Sequence, residues 1–497
     1  MKIKKIFAFL SLPVFLLTAA CSNDHEDSLT VQDDITLSGL TVSSINLGHD
    51  GSPEGDASAE FSVKCEAVPL AVSDSEWLAV NRVSSANKIH TFSVSATANN
   101  SQETRTGTIT VTAGKSSEKV SVTQSAAPAP QEPEETQPSL GIKALDIARD
   151  IRAGWNIGNT LEAIGGETAW GNPRINARYI AGIKAAGFNA VRIPCAWDQY
   201  ITDTSNQTID PQWLERVNEV VKMVLEQDLY AIVNIHWDGG WLENNIGSSA
   251  KSSLLDKQKA LWTQIAKRLC HFDERLMFAG LNEPNADEAA GSAALLQYEQ
   301  AFIDAVRATG GNNSTRTLIF QGPHTDITKT SEFFKTNPSD PAGSGYLMAE
   351  IHYYDPYQYT IMEEDASWGL VSWFWGNRFH MEGSDRNAPW GEEDWMKQQF
   401  DLMKKQFVDK DIPVIIGEYG AYPEEHYPSL QTAEQKQIIA DSRAYFYSCV
   451  QKFGKERGLI PFVWDTGELI NRTDGSINKQ YMIDAIIQGS DAVSYPY

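Results

Sequence analysis

The chain has few cysteines and comparatively few basic residues. Only five of its 497 residues are cysteine, and none forms a Cys-x-x-Cys pair or another spacing typical of metal ligands. Lysine and arginine total 41 against 65 acidic residues, a formal charge of -24 at pH 7. A negative field repels nucleic acid, anionic membrane surfaces and acidic polysaccharides. The composition therefore favours a neutral substrate and excludes a nucleic-acid partner.

The cysteines are too scattered to define a disulfide framework. Cys65 stands alone in the N-terminal region, whereas Cys195, Cys270 and Cys449 lie far apart in the remainder of the chain. A disulfide among these three stays open, but a chain of this length can bury a core without covalent cross-links. We expect free, buried thiols.

The N-terminus carries one long apolar run, Ile6 to Leu17, preceded by three lysines and followed by "TAAC". The run is too short to span a membrane as a helix and has the layout of a secretory signal, which we assign to residues 1–20. Cys21 then resembles the acylated cysteine of a bacterial lipoprotein, although Thr18 departs from the usual aliphatic residue. The following "CSNDHED" resembles the export signal of surface lipoproteins in Bacteroides-like bacteria. This predicts a lipid anchor on the outer face of the outer membrane, with a plain cleaved signal as the alternative.

Residues 38–125 contain short alternating segments such as "TFSVSATA", "TGTITVTA" and "EKVSVTQS", separated by Gly, Asn and Ser. This pattern predicts a small immunoglobulin-like β-sandwich. The "SDSEWLAV" stretch around Trp77 and the closing "VTQ" resemble the BACON domain. That resemblance implies association with carbohydrate, but a spacer role is favoured because Trp77 is expected to pack in the core. Residues 126–139, rich in Pro and Glu, are predicted to be a linker.

Residues 140–497 alternate apolar strand-like runs with amphipathic helices. The helix predicted over Pro211–Gln227 has four valines at helical spacing, and Ala293–Thr309 shows the same periodicity. Eight such strands over about 350 residues predict a (β/α)₈ barrel. No Gly-rich phosphate loop follows the first strand, which argues against a doubly wound open sheet. The strand-like runs are "RAGWNIG", "FNAVRI", "LYAIVNI", "LMFAGL", "TLIFQG", "YLMAEIHY", "PVIIGEY" and "LIPFVW".

Polar or aromatic residues follow six of these apolar runs. In a barrel of parallel strands the active site forms where the strands end, so these side chains are expected to meet there. A single histidine or arginine at a strand end has an ordinary structural explanation, but six strands in agreement indicate a site. The residues are Arg192, His236, Asn282, Glu283, His352, Tyr354, Glu418 and Trp464.

The ordered motifs "GWNIGN", "VRIP", "NIHWDG", "LNEP", "IHYYDP" and "IIGEYG" resemble glycoside hydrolase family 5, over about Ala144 to Pro496. The resemblance implies a retaining glycosidase with Glu283 as acid/base and Glu418 as nucleophile. It also implies that the other strand-end residues surround the sugar at the cleavage point, with Tyr354 donating to the nucleophile and Asn282 holding the sugar 2-hydroxyl. Trp237 stands where many members have a second histidine.

Retaining hydrolysis requires two carboxylates about 5 Å apart, one protonated and one ionised. We expect Arg192 to favour the charged form of Glu418, and the charge of Glu418 to raise the pKa of Glu283. Glu283 would then donate its proton to the leaving oxygen. No metal or cofactor is expected.

Tryptophans between the sixth and seventh strands, at positions 368, 373, 375 and 390, suggest platforms for sugar rings. Trp375, Trp241 and Asn159 are taken as substrate-binding candidates. "GWNIGNTLEA", "ETAWGNP" and "DGGWL" resemble the family members that cleave β-1,4-glucans, including xyloglucan and mixed-linkage glucan. The resemblance predicts an endoglucanase acting on a neutral β-glucan. We expect a monomer, although nothing in the sequence bears on oligomeric state.

Three other functions are compatible with parts of the sequence. A β-mannanase of the same family remains the closest alternative, and a non-catalytic surface glycan-binding lipoprotein is disfavoured because both glutamates are present. A metal-dependent barrel hydrolase would need an His-x-His pair after the first strand, where the chain has "NIGN".

Overall fold

The computed structural model describes residues 35–53, 59–127, 141–423, 426 and 432–497. The predicted signal peptide, Cys21 and nearly all of the predicted linker lie outside these residues. The chain divides into two compact units, Met1–Ala129 and Pro130–Tyr497. Each is described by itself.

The N-terminal unit is a sandwich of two sheets in its described part. One sheet has the strand order β1-β7-β6-β3 and the other β2-β5-β4. Alternate residues of the strands point into one apolar core, in which the rings of Phe61 and Phe92 stack 5.1 Å apart. The guanidinium of Arg105 lies 4.5 Å above the ring of Trp77, which packs against this core. The strands are β1 Ser44–Leu47, β2 Glu60–Lys64, β3 Leu70–Ser73, β4 Leu78–Ala86, β5 Ile89–Ala96, β6 Arg105–Ala113 and β7 Ser116–Gln124.

The second unit contains a closed parallel barrel in the order β12-β13-β14-β15-β16-β17-β8-β9. Its strands are covered on both sides, which explains why they read as continuous apolar runs without alternation. All eight runs identified in the sequence form barrel strands, so the predicted fold is confirmed. The strands are β8 Gly154–Ile157, β9 Ala190–Ile193, β12 Tyr230–Asn234, β13 Leu276–Ala279, β14 Leu318–Gln321, β15 Leu347–Tyr353, β16 Val414–Tyr419 and β17 Leu459–Asp465, with a small hairpin of β10 Ile201–Asp203 and β11 Thr208–Ile209.

Helices between the barrel strands bury one apolar face each. Asp210 caps α3 through the backbone N–H of Gln212, and Pro211 occupies the first turn, where its missing N–H costs nothing. Helix α5 begins at Ala289, four residues before the predicted start at Ala293. The prediction began late because the small residues of the first turn show no apolar periodicity. The helices are α1 Ala144–Asp150, α2 Ala177–Ala185, α3 Pro211–Glu226, α4 Ser252–Arg268, α5 Ala289–Ala308, α6 Ile327–Phe333, α7 Tyr357–Thr360, α8 Glu393–Gln406, α9 Ala433–Glu456 and α10 Gln480–Asp491.

Among the described residues, no helix combines the length and the apolar composition that crossing a membrane requires.

Candidate active site

Glu418 lies at the end of β16 in a nearly closed environment, with 8% of its side chain exposed. Arg192 Nη1 donates to its Oε1 at 2.9 Å, and the hydroxyl of Tyr354 donates to its Oε2 at 3.1 Å. His236 Nε2 is 4.0 Å from Oε1. Three side chains from three other parts of the barrel therefore fix the direction in which this carboxylate points.

A bulge in β16 is what turns Glu418 toward these partners. Ile351 of β15 pairs with Ile416, but the next residue, His352, pairs with Glu418, so Gly417 is an extra residue in the ladder. Because alternate residues of a strand face opposite sides, one inserted residue brings Glu418 onto the face that carries His352.

Glu283 follows β13 and is more open, with 42% of its side chain exposed. His352 Nδ1 is 2.7 Å from Glu283 Oε1, and the backbone N–H of Glu283 donates to Glu243 Oε2 at 2.9 Å. Carboxylate oxygens of Glu283 and Glu418 lie within 4.8 Å of each other. The two glutamates thus form a close pair, one exposed to an incoming molecule and one held from behind.

His352 changes the expected proton balance of this pair. Burial alone would lower the pKa of His352, but the charges of Glu418, Glu283 and Glu350 raise it to about 10. Burial acts to raise the pKa of Glu283, yet the hydrogen bond from His352 and the nearby cations lower it below its ordinary value. Burial, the largest influence, raises the pKa of Glu418. The expectation that the charge of Glu418 raises the pKa of Glu283 and keeps it protonated was wrong, because the His352 imidazolium contacts Glu283 and favours its ionised form.

A metal ion is a poor fit to the same group. Glu283, His352 and Glu418 offer ligand-type atoms within 4.8 Å of one another. His352, however, directs one ring nitrogen at Glu283 and the other at Glu350, 3.4 Å away. An imidazolium with both nitrogens protonated has no lone pair for a metal.

His236 is held neutral beside the pair. Burial, with Arg192 and His352 nearby, lowers its pKa well below the ordinary value. The Cys195 N–H donates to Asn234 Oδ1 at 3.1 Å, so the Asn234 amide group faces His236 Nδ1 at 3.2 Å. The ring proton of His236 is therefore on Nε2. Its ring stacks on Trp464, 5.7 Å between centroids.

Arg192 was predicted to contact substrate, and the structure contradicts this, because its side chain is 0% exposed. The guanidinium lies beneath the glutamates, where Nη2 donates to Asn282 Oδ1 at 2.9 Å and Nη1 donates to Asn156 Oδ1 at 3.0 Å. Asn282 also donates from Nδ2 to Glu243 Oε2 at 3.3 Å. The amide of Asn282 therefore keeps one hydrogen that can be donated to a further acceptor.

Trp375 was likewise predicted to bind sugar and is instead 0% exposed. Its Nε1 donates to the Gly391 carbonyl at 2.9 Å, and its ring meets Phe446 edge-on at 5.1 Å. The composition of the loop could not separate this core tryptophan from its neighbour Trp368, which is 63% exposed.

Two other sequence candidates lie at the rim of the barrel mouth. Trp241 is half-buried, donates from Nε1 to Asp238 Oδ2 at 2.8 Å, and has the ammonium of Lys257 4.5 Å above its ring. Asn159 follows β8 in a left-handed conformation with φ of 58°, and its carbonyl accepts from Asn172 Nδ2 at 3.1 Å. Within the described part of the chain, Asn159 is held in this turn through its own backbone, whose N–H donates to Glu162 Oε1.

Sequence reasoning missed Glu350 and Glu243. Glu350 is fully buried below His352, and Glu243 contacts the residues Asn282 and Glu283. A signal for Glu350 exists, since residues 350, 352 and 354 alternate along "EIHYY" and so share one face of the strand. Glu243 lies in a loop and has no comparable signal.

A cleft opens next to Glu283. Its lining includes His324, Tyr354, Asp355, Tyr357 and Ile361. His324 has φ of 55°, a left-handed conformation that is costly for a side chain of this size and is often found at functional sites. The backbone N–H of His324 donates to the carbonyl of Pro284, which ties this wall of the cleft to the residue after Glu283.

Comparison with known families fits this geometry. The model of the cellulase family, glycosyl hydrolase family 5, matches residues 156–468. The chain belongs to glycoside hydrolase family 5. The BACON model, described as a putative N-terminal binding domain, matches residues 54–125. The chain is therefore a glycoside hydrolase of family 5 that carries a BACON domain, as its motifs predicted.

Relatives within family 5 include enzymes named for β-glucan cleavage. The xyloglucan-specific endo-beta-1,4-glucanase of Bacteroides ovatus is 36% identical over 370 residues, 70% of each chain. Endoglucanase A of Paenibacillus barcinonensis is 32% identical over 70% of this chain and 90% of its own. A solved Bacteroides ovatus GH5 xyloglucanase, in complex with a XXXG heptasaccharide, is 31% identical with a TM-score of 0.65 and covers 92% of this chain and 100% of its own.

The contrast between Trp375 and Trp368 gives a first prediction. Trp375→Phe removes a buried hydrogen bond and part of a ring, so we expect the free energy of unfolding to fall by about 1–3 kcal/mol with KM for the polysaccharide substrate unchanged. Trp368→Ala, at the exposed position, should leave stability within about 0.5 kcal/mol but raise KM about fivefold through lost ring stacking. Urea unfolding and steady-state kinetics measure both. An increased KM for Trp375→Phe would contradict its assignment to the core.

Proposed function

We propose that the protein is a retaining endo-β-1,4-glucanase that cleaves the backbone of xyloglucan, with Glu418 as nucleophile and Glu283 as acid/base. The observation that carries the retaining mechanism is the distance between carboxylate oxygens of Glu283 and Glu418, which lie within 4.8 Å of each other. Retaining enzymes place their carboxyl groups about 5–5.5 Å apart, whereas inverting enzymes leave about 6.5–9.5 Å for a water molecule.

Glu418 is suited to the role of nucleophile because its carboxylate is buried and held in one orientation. Arg192 and Tyr354 each hold one of its oxygens, which limits the reorganisation needed before attack on the anomeric carbon. Attack forms a bond from a Glu418 oxygen to that carbon as the glycosidic bond breaks. The electron pair of that bond stays on the leaving oxygen, which must take up a proton.

Glu283 suits the acid/base because it is exposed and shares a proton with His352. The 2.7 Å hydrogen bond contains one proton, which can lie on Nδ1 or on the carboxyl oxygen without changing the total number of protons bound. When the leaving oxygen approaches Glu283 and water is displaced, that proton passes through Glu283 to the sugar. Glu283 then removes a proton from the water that hydrolyses the glycosyl-enzyme intermediate.

The surroundings accommodate a neutral polymer. The cleft beside Glu283 provides room for the leaving-group side of the chain, and exposed rings of Tyr357, Trp368 and Trp390 lie around it or on the adjoining loop. Such rings stack on the apolar faces of sugars, with about 1 kcal/mol for each contact. The named activity of the Bacteroides ovatus relatives supports xyloglucan among the possible β-glucans.

The catalytic roles predict different defects in two isosteric variants. Glu283→Gln and Glu418→Gln should each lower kcat on polysaccharide by at least about 10²–10⁴-fold. An aryl cellobioside with a dinitrophenyl leaving group needs no proton donor, so Glu283→Gln should still release a burst of phenolate and then stall. Glu418→Gln should show no burst, because no covalent intermediate forms. Stopped-flow absorbance measures the burst.

The matched control for these variants is Glu288→Gln, an exposed carboxylate near the start of α5, which should retain wild-type kinetics. Near-normal hydrolysis by either active-site variant would refute the assignment, and a burst from Glu418→Gln would exchange the two roles.

The proposed substrate predicts a rank order of rates. The protein without residues 1–21 should release oligosaccharides faster from xyloglucan than from carboxymethyl-cellulose, barley mixed-linkage glucan or glucomannan, because the site must accept a branched backbone. Chromatography of the products measures this in parallel reactions. Cleavage confined to unbranched glucan would indicate an ordinary endoglucanase, and preference for glucomannan would indicate a mannanase.

We also propose, from the sequence of residues 1–27, that the protein is exported and anchored by acylated Cys21 on the outer face of the outer membrane. The "TAAC" motif and the acidic stretch after it support this location. In cells fed labelled palmitate, the wild-type protein should carry the label and Cys21→Ala should not. An unlabelled wild-type protein would indicate a plain cleaved signal.

A further inference from the structure

Glu350 is a buried carboxylate one layer below the two catalytic glutamates. It lies on β15 and is 0% exposed, so it cannot touch a substrate. Its Oε1 is 3.0 Å from Arg192 Nε and 3.4 Å from His352 Nε2. Gln321 Nε2 donates to its other oxygen. Glu350 therefore contacts both cations on which the catalytic pair depends.

Those two cations face the catalytic carboxylates on their other side. Arg192 donates to Glu418 at 2.9 Å, and His352 holds Glu283 at 2.7 Å. Moving or neutralising Glu350 must therefore change the orientation or the charge of both contacts at once. Burying the Glu350 carboxylate costs free energy of folding, because its lost hydration must be replaced by contacts with partners. A carboxylate kept at this depth is therefore a candidate for a functional role.

The chain makes room for Glu350 at one specific place. A Cβ added to Gly417 would lie 1.9 Å from Glu350 Oε1, far inside contact distance. Gly417 is also the extra residue of the bulge that turns Glu418 inward, and its carbonyl accepts from Asn156 Nδ2 at 2.7 Å. The space for Glu350 and the direction of Glu418 thus depend on the same glycine.

We propose that Glu350 is a positioning residue that fixes Arg192 and His352, and through them the geometry and proton affinity of Glu418 and Glu283. This inference rests on the proposed function of that pair. Gly417 provides the opening into which the Glu350 carboxylate fits.

The charged and titratable groups around Glu350 set the expected pH effect. Arg192 and His352 contact it directly, and its charge acts on Glu418 and on the buried carboxyl of Glu299. Arg192, His352 and Gln321 outweigh burial and lower the pKa of Glu350, so it is ionised. Removing this negative charge favours loss of the proton shared by His352 and Glu283, and favours ionised Glu418. Removal of the Glu350 charge should therefore lower the pKa of His352 and the pKa of Glu418.

Glu350→Gln keeps the shape of the side chain and removes the charge. We expect kcat to fall about 100-fold through misplacement of the reacting groups, with KM nearly unchanged because Glu350 does not meet the substrate. Both limbs of the pH profile of kcat/KM should move to lower pH, the alkaline limb by about one unit or more. Glu350→Asp, which keeps the charge, should restore much of the wild-type profile. The full chain is used throughout.

Glu299→Gln is the matched control. Glu299 accepts from the Gln321 backbone N–H at 3.0 Å, and burial raises its pKa well above the ordinary value, which favours the neutral carboxyl. The amide replaces a neutral carboxyl of the same shape, and kcat and the pH profile should stay at wild-type values. A role of Glu350 in packing alone would leave its pH profile unmoved, like that of this control.

NMR titration of the His352 ring should show a lower pKa in Glu350→Gln than in the wild-type protein. This measurement does not require activity, so it separates failure of this inference from failure of the proposed function.

A second variant tests the same contact if Glu350→Gln does not fold. Gly417→Ala displaces the Glu350 carboxylate and should also lower kcat and the pKa of His352. Gly420→Ala, whose Cβ would meet other atoms at 3.4 Å or beyond, is its control. A folded Glu350→Gln with wild-type kcat, pH profile and His352 titration overturns the proposal, as does a fall in kcat with both pH readouts unmoved.

Discussion

The rest of the site depends on one interaction, the contact of the buried Arg192 guanidinium with the oxygen atoms that surround it. It lies at 0% exposure and contacts Glu350, Glu418, Asn282 and Asn156, which come from other strands of the barrel or from their ends. A guanidinium removed from water must be surrounded by acceptors, and its planar fork fixes the directions in which those acceptors lie. The strand ends are thereby held in register around one charge.

The charged groups around Arg192 favour the proposed transfer of a proton through Glu283. The imidazolium of His352 is the second positive group, and it lies among three carboxylates, Glu283, Glu350 and Glu418. One proton is consequently retained near Glu283 up to a pH set by the raised pKa of His352, about 10. The two glutamates differ in exposure as well as in partners, which supports the separate tasks proposed for these two identical side chains.

The barrel strands position these charged groups, and a long loop follows β15. Glu418 and His352 are placed by neighbouring barrel strands and a bulge, whereas Trp368 and Trp390 project from the long segment between the sixth and seventh strands. Loops of this kind alter the shape of a groove without disturbing the scaffold below it. The proposed function therefore assigns cleavage chemistry and glycan preference to different parts of the same unit.

The sequence by itself determined the barrel, because eight buried strands read as apolar runs and the helices between them keep one apolar face. It also located Glu283, Glu418, His236, His352 and Tyr354 at strand ends, since parallel strands must bring those ends together. Which side chains meet substrate was decided only by tertiary structure. Arg192 and Trp375 belong to residue types that contact sugars in many proteins, yet both are enclosed here.

The proton balance of the pair was also beyond the sequence. Motifs show which groups are present, but the pKa of Glu283 depends on a 2.7 Å contact with His352 that only the folded chain creates. Glu350 was overlooked for a related reason, because a single acidic residue inside an apolar strand acquires meaning from what lies across the barrel. Pattern along the chain fixes which face a residue occupies, whereas distance between strands decides which charges interact and how strongly.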